Sequence, residues 1–145
     1  MQDSVFTKII KGEIPSYKVY EDAKTLAFLD IEPLSPGHTL VVPKLQVDQF
    51  DELPAEDYQA LFRTVQKVSR HARTILGTKR TIIQVLGFDI PHTHIHIIPA
   101  DSGMEYYEAI GNHVANVKDS RPYPYKPTSE ELAAMAAKLR LEDGL

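Results

Sequence analysis

The sequence predicts a single α+β domain of 145 residues, with a five-stranded antiparallel sheet, one long helix, a short N-terminal helix and a C-terminal helix. Three observations predict it. Short runs rich in β-branched and aromatic residues are separated by turn residues, at hairpin distances near the N-terminus. One stretch, from Tyr58 to Leu76, repeats apolar residues at helical spacing. No repeat, low-complexity tract or second domain divides residues 1–145.

In order, Asp3 or Ser4 caps a short helix reaching about Lys11, with Val5, Phe6, Ile9 and Ile10 as its apolar stripe and Gly12 as its stop. Tyr17 to Tyr20 is a strand. Glu21 to Lys24 turns the chain, and Thr25 to Asp30 is the hairpin partner. Two prolines and Gly37 punctuate the loop that follows, and His38 to Pro43 is a third strand. Pro54 and the acids Glu56 and Asp57 open the long helix, and Gly77 closes it. Arg80 to Leu86 is a fourth strand and His92 to Ile98 a fifth, ending at Pro99 because proline cannot donate to a ladder. Residues 101–121 carry no assignable pattern. Arg121 to Pro127 holds three prolines and is extended. Thr128 and Glu131 stand at capping-box spacing before a helix that runs to about Arg140.

Composition narrows the function. The chain is 43% hydrophobic and 25% charged, with a net charge of −4, so it offers no footing for bulk binding to nucleic acid or anionic membranes. A phosphate ligand has to be held by a local site. There is no cysteine, which excludes disulfides and thiolate zinc sites. No basic-then-apolar leader opens the sequence and no apolar run spans a bilayer, so the expected location is the cytoplasm.

The chemistry concentrates in Ile90-Pro91-His92-Thr93-His94-Ile95-His96-Ile97-Ile98-Pro99, which holds three of the six histidines. On a strand, His92, His94 and His96 share one face, about 6–7 Å apart, and Thr93, Ile95 and Ile97 take the other. Each imidazole titrates near pH 7, so the row can carry protons, attack an electrophile or ligate a metal. Two strand histidines can chelate one zinc ion. Three cannot do so easily, because the first and third α-carbons lie roughly 13 Å apart. Catalysis on an anionic substrate is the favoured reading. Taken alone, His38 reads as a surface histidine at the start of a strand, and His71 as a partner of a helix C-terminus.

Several stretches together resemble the histidine triad superfamily of nucleotide hydrolases and transferases. Its pattern His-φ-His-φ-His-φ-φ, φ being apolar, is met by His92-Thr93-His94-Ile95-His96-Ile97-Ile98, with Thr93 the one non-apolar φ. Phe6-Thr7-Lys8-Ile9-Ile10-Lys11-Gly12-Glu13-Ile14-Pro15, Leu26-Ala27-Phe28-Leu29-Asp30-Ile31 and Ser35-Pro36-Gly37-His38-Thr39-Leu40-Val41-Val42-Pro43-Lys44 are similar to it as well. The likeness covers about residues 3 to 99 and leaves 100–145 as a C-terminal extension, in which Tyr123 and Tyr125 are candidates to border the site.

The resemblance implies a HIT-like fold and a homodimer whose sheets join. It implies a purine nucleotide at each histidine row, no cofactor, and release of a nucleoside monophosphate, expected to be AMP. The substrates would be phosphoramidates, anhydrides or dinucleoside polyphosphates. By position His94 would attack the α-phosphorus and form a nucleotidyl-histidine intermediate. His96 would contact the phosphate oxygens, and His92 and His38 would orient the nucleophile and relay protons. Asp30 would hold the ribose hydroxyls, and Val5, Phe6, Ile9, Ile14, Phe28, Ile31 and Leu40 would surround the base. Gln84 stands where the superfamily often has an asparagine on the preceding strand and is counted among the nucleotide-binding candidates, and Asp89 stands close to where a phosphate contact is often supplied. An acid there would repel phosphate, so Asp89 is expected to turn away. Zinc-binding members carry a Cys-x-x-Cys at the start and a histidine after the Pro-Lys pair. Here Ser4 and Thr7 stand near the first and Pro43-Lys44-Leu45-Gln46 at the second, so no structural zinc is expected. Two other functions fit the same residues: a nucleotide-binding regulator with negligible turnover, and a metal-dependent hydrolase.

Overall fold

Turn chemistry and β-propensity set up the first hairpin. In the computed structural model, which describes residues 1–119 and 125–141, β1 (Lys18–Glu21) pairs antiparallel with β2 (Thr25–Leu29). Asp22 closes the turn: its Oδ1 accepts from the backbone N–H groups of Lys24 and Thr25 at 2.9 and 2.8 Å. β3 (Thr39–Pro43) adds to β2 in unbroken register from Thr25↔Pro43 to Leu29↔Thr39. β5 (Ile95–Ala100) lies between β3 and β4 (Arg80–Gln84), giving the order β1-β2-β3-β5-β4, antiparallel throughout.

Every residue of β2 and β3 is buried because both faces of the sheet are covered. On one face Ala27, Leu29, Val41, Ile95 and Ile97 meet Leu61, Val65, Val68 and Ala72 of α2 (Ala55–Leu76). Pro54 starts α2, and Gly77, at φ 69°, ends it with its N–H on the Arg73 carbonyl at 2.9 Å. On the other face Leu26, Phe28, Leu40 and Val42 meet Phe6 and Ile9 of α1 (Val5–Ile10), whose N-cap Ser4 accepts from the Thr7 N–H.

Three boundaries differ from the sequence reading by two residues or more. β5 starts at Ile95, so His92 and His94 precede the strand, and it continues through Pro99 to Ala100. Pro99 is tolerated because its backbone faces the β3 side beyond the end of that ladder: its carbonyl accepts from Ser35 Oγ at 2.7 Å, and the missing N–H points the same way. β4 ends at Gln84, which releases Val85 and Leu86 into the loop before the histidines. Residues 103–119, unassigned from sequence, form α3 (Gly103–Asp119). Tyr106, Ala109 and Ile110 are half-buried at helical spacing, a signal masked in the sequence by the poor helix formers Gly111 and Asn112.

The capping box is present as expected. Thr128 Oγ1 accepts from the Glu131 N–H, and Glu131 Oε1 from the Thr128 N–H, both at 3.1 Å, opening α4 (Ser129–Leu139). Leu132, Ala136 and Leu139 of α4 enter the same core as α2. The extended reading of Arg121 to Pro124, and with it Tyr123, lies outside the described residues. Among the described residues no helix is long and apolar enough to cross a membrane.

Candidate active site

The antiparallel register lines up Phe28, Leu40, His96 and Gln84 side by side across β2, β3, β5 and β4. Directly paired residues share a face, so these four lie on the α1 side of the sheet. His94 precedes them and packs against the edge of the Phe6 ring, centroids 4.9 Å apart; its ring lies 5.3 Å from that of His96. Thr93 points the other way, its hydroxyl donating to the carbonyls of Val47 and Asp48 at 2.8 and 3.2 Å.

Hydrogen bonds to backbone groups fix the imidazole tautomers, because a carbonyl only accepts and an N–H only donates. His94 Nδ1 lies 2.8 Å from the His92 carbonyl and must donate to it. The lone pair of His94 is therefore on Nε2. His38 Nδ1 accepts from the Leu34 N–H at 3.0 Å, which puts the His38 proton on Nε2, 2.9 Å from His96 Nδ1. His96 thus accepts at Nδ1, and in its neutral form carries its proton on Nε2. Asp30 Oδ2 stands 3.6 Å from His38 Nε2, and Asp30 Oδ1 accepts from the Glu32 N–H at 2.9 Å.

Asp30, His38 and His96 each offer an atom within 4.8 Å of the others, near enough to hold an ion. The Leu34 N–H argues against that use. It occupies the one lone pair of neutral His38, leaving a proton where a metal would have to bind. His38 and His96 form a hydrogen-bonded pair, with the Asp30 carboxylate beside it.

His94 and His96 open onto a cavity of about 440 Å³. Val5, Phe6, Ile9, Ile14, Phe28, Asp30, Ile31 and Leu40, the residues that the resemblance assigned to a nucleoside, all line it, and so does Asp89. Gln84 is outside the lining, beside His96. His38 is 2% exposed and sits behind His96, not on the surface as it reads in isolation. Asp89, expected to turn away from a phosphate, is among the residues that line the cavity. It stays in the wall, exposed to water that screens its charge. Sequence reasoning missed Ser16, Glu32 and Phe88, which also line the cavity. Phe88 is 94% exposed, and a loop residue of that kind has no periodicity to announce it.

Residues 11–103 match the sequence model of the HIT domain. The chain belongs to the HIT family. A Bacillus subtilis relative, "Protein hit", is 35% identical over 141 residues, covering 94% of this chain and 96% of its own. The adenosine 5'-monophosphoramidase hnt1 of Schizosaccharomyces pombe is 38% identical over 99 residues, covering 66% of this chain and 72% of that one. The crystal structure of a Hit-like protein from Bartonella henselae superposes with a TM-score of 0.76 at 28% identity, over 95% of each chain. The HIT family thus includes hydrolases that act on AMP derivatives.

In this HIT protein the first histidine of the row does not reach the cavity. His92 is fully buried, its Nε2 donating to the Pro43 carbonyl at 2.8 Å and its Nδ1 accepting from the Ser4 hydroxyl at 2.7 Å. Proton relay by His92, expected from its position, is therefore corrected: both ring nitrogens are occupied away from the cavity. Its contact with the chemistry is through its own carbonyl, which orients His94. Thr7 and Gln46 complete this node. The Thr7 hydroxyl donates to Gln46 Oε1 at 2.6 Å, and so does the Ser4 N–H at 2.9 Å. These are the positions at which zinc-binding relatives carry their ligands. Two neutral hydroxyls and an amide do not fit zinc, which takes thiolate, imidazole or carboxylate, and the His92 lone pair is already used.

Burial depresses the His92 pKa, opposed by the Pro43 hydrogen bond and reinforced by His94. A histidine depressed in the folded state binds fewer protons folded than unfolded. Its stabilising contribution is complete above the unfolded value of about 6.5 and is lost as pH falls below it. Urea unfolding between pH 7.5 and 5.5 is expected to show this loss. The slope should be shallower in His92→Gln, by up to about 1.4 kcal/mol per pH unit. Equal slopes would show that His92 protonates freely in the folded protein.

Proposed function

We propose that this HIT protein is a nucleotide phosphoramidase or nucleotidyl hydrolase that releases AMP through a covalent intermediate on His94. The observation that carries the proposal is the His94 ring, tied at Nδ1 to the His92 carbonyl so that Nε2 presents its lone pair beside an apolar cavity of nucleoside size. In the first step His94 Nε2 bonds to the α-phosphorus and the bond to the leaving group breaks. The leaving amine takes a proton from the His38–His96 relay. In the second step water attacks phosphorus, its proton returns to the relay, and the phosphorus–nitrogen bond to His94 breaks. Asp30 holds the ribose hydroxyls, and Phe6, Ile9, Phe28 and Leu40 sandwich the base. The HIT phosphoramidase relative supports this substrate class.

The experiment is incubation with adenosine 5'-phosphoramidate and with a diadenosine polyphosphate in EDTA, with AMP quantified by chromatography. Release in EDTA is the expected result. Calorimetric AMP binding without release would instead make the protein a nucleotide sensor, and release only after metal is restored would make it a metal-dependent hydrolase.

The working unit is a homodimer. Among the described residues β4 has a strand partner on one side only, and Ile83 on it is 42% exposed beside a groove lined by Phe62 and Val65 of α2. Sedimentation equilibrium is expected to give two chains per particle, and Ile83→Asp to give one. A monomeric wild type would remove this part of the proposal.

A further inference from the structure

Past His96, the next side chain in the row Phe28–Leu40–His96 is Gln84, one strand spacing of about 4.8 Å away on the same face. It is half-buried and does not stand alone: the Tyr106 hydroxyl of α3 donates to Gln84 Oε1 at 2.8 Å. α3 begins just after β5 and, apart from its first residue Gly103, lies beyond residues 11–103, the part matched to the HIT domain. An amide whose oxygen is engaged from one side presents its N–H₂ group at the other corner. With Oε1 turned to α3, that corner is the one available to a group seated against His96.

We infer that Tyr106 is a positioning residue: it holds the Gln84 amide so that its N–H₂ donates to a phosphate oxygen of the nucleotide seated at His94 and His96. The inference rests on the nucleotide reading given above. It assigns a role to α3, making it the wall of the phosphate end of the site, opposite the nucleoside cavity formed with α1. Burial raises the Tyr106 pKa, with Tyr107 adding to it, so the hydroxyl stays protonated and remains a donor throughout the neutral range. Phenylalanine at 106 keeps the ring that packs against the sheet and removes only the donor.

The test is a calorimetric comparison of AMP and adenosine binding in wild type, Tyr106→Phe, Gln84→Ala and the double variant, alongside kcat/KM on adenosine 5'-phosphoramidate. Tyr106→Phe is expected to weaken AMP about three- to tenfold, one hydrogen bond's worth, while leaving adenosine within about twofold. The double variant is expected to be no weaker than Gln84→Ala alone, since the tyrosine acts only through the glutamine. Gln84→Glu keeps an acceptor for Tyr106 but replaces the N–H₂ with a second oxygen, so it should lose the preference for AMP over adenosine altogether. An unchanged AMP-to-adenosine ratio in Tyr106→Phe, or losses that multiply in the double variant, would overturn the inference with the nucleotide reading intact. A wild-type protein that neither binds AMP nor releases it would fail the nucleotide reading itself, and this inference with it.

Discussion

His94→Ala is expected to reduce AMP release by a factor on the order of 10⁴ or more, because in the proposed mechanism it removes the one group among the described residues placed to form the covalent intermediate. The tautomer makes the expectation sharp. His94 Nδ1 is committed to the His92 carbonyl, so the proposed mechanism has Nε2 as the attacking atom, and among the described residues no neighbouring histidine of the row is placed to substitute for it. His96 has its Nδ1 engaged by His38, and His92 is turned out of the cavity by Ser4 and Pro43. AMP affinity should stay within about tenfold of wild type, since the apolar walls and Asp30 are untouched and binding common to ground and transition states survives loss of a nucleophile. Single-turnover release from adenosine 5'-phosphoramidate and calorimetry on AMP measure the two quantities separately. Equal release by wild type and variant would sink the covalent mechanism. A parallel collapse of AMP affinity would mean that His94 serves binding more than chemistry.

The largest expected effect on stability comes from the C-terminal helix. Leu139 is 1% exposed and shares the core with Leu61, Val65 and Ile97, so Leu139→Ala should cost about 3 kcal/mol by lost transfer energy and the cavity left behind. For a chain of this size that lowers the thermal midpoint by roughly 10 °C. The site of the cavity matters for function. Gly37 has φ 88°, and a Cβ built there would lie 2.6 Å from Leu76 Cδ1 and 3.5 Å from Leu139 Cδ1. Leu139 thus packs directly beneath the residue that leads into His38. Leu139→Met conserves volume and should cost under about 1.5 kcal/mol. Urea unfolding of both variants decides the matter: a midpoint unchanged in Leu139→Ala would mean that α4 unfolds apart from the sheet.

Much of the site was legible because it lies on regular elements. The alternation of His92, His94 and His96 marked out the row, and Phe6, Ile9, Phe28 and Leu40, which read as core by spacing, were drawn together as one pocket by the family resemblance. The Thr128–Glu131 box announced α4 for the same reason: a cap is a local event whose partners are three residues apart. What could not be read involves partners far apart in sequence. Ser4 and Gln46 are 88 and 46 residues from His92, yet they and Pro43 decide that its ring is structural. His38 looked like a surface residue because nothing local shows that the 34–38 loop folds back to bury it or that the Leu34 N–H sets its tautomer.

By itself, then, the sequence determined the fold class, the sheet with its long helix and the family resemblance, and singled out the histidine row as the candidate site, since periodicity, capping and turn chemistry act over a few residues. Only the tertiary structure decided which histidine presents a lone pair, which is sealed away, and how α3 reaches Gln84. The sealing of His92 and the reach of α3 depend on single hydrogen bonds between distant segments, Ser4–His92 at 2.7 Å and Tyr106–Gln84 at 2.8 Å, and the tautomers on Leu34–His38 and His92–His94 bonds of 3.0 and 2.8 Å that form only once the loops carrying them are folded into place. A shift of a fraction of an ångström or one rotamer would rewire such bonds, and no local pattern encodes them.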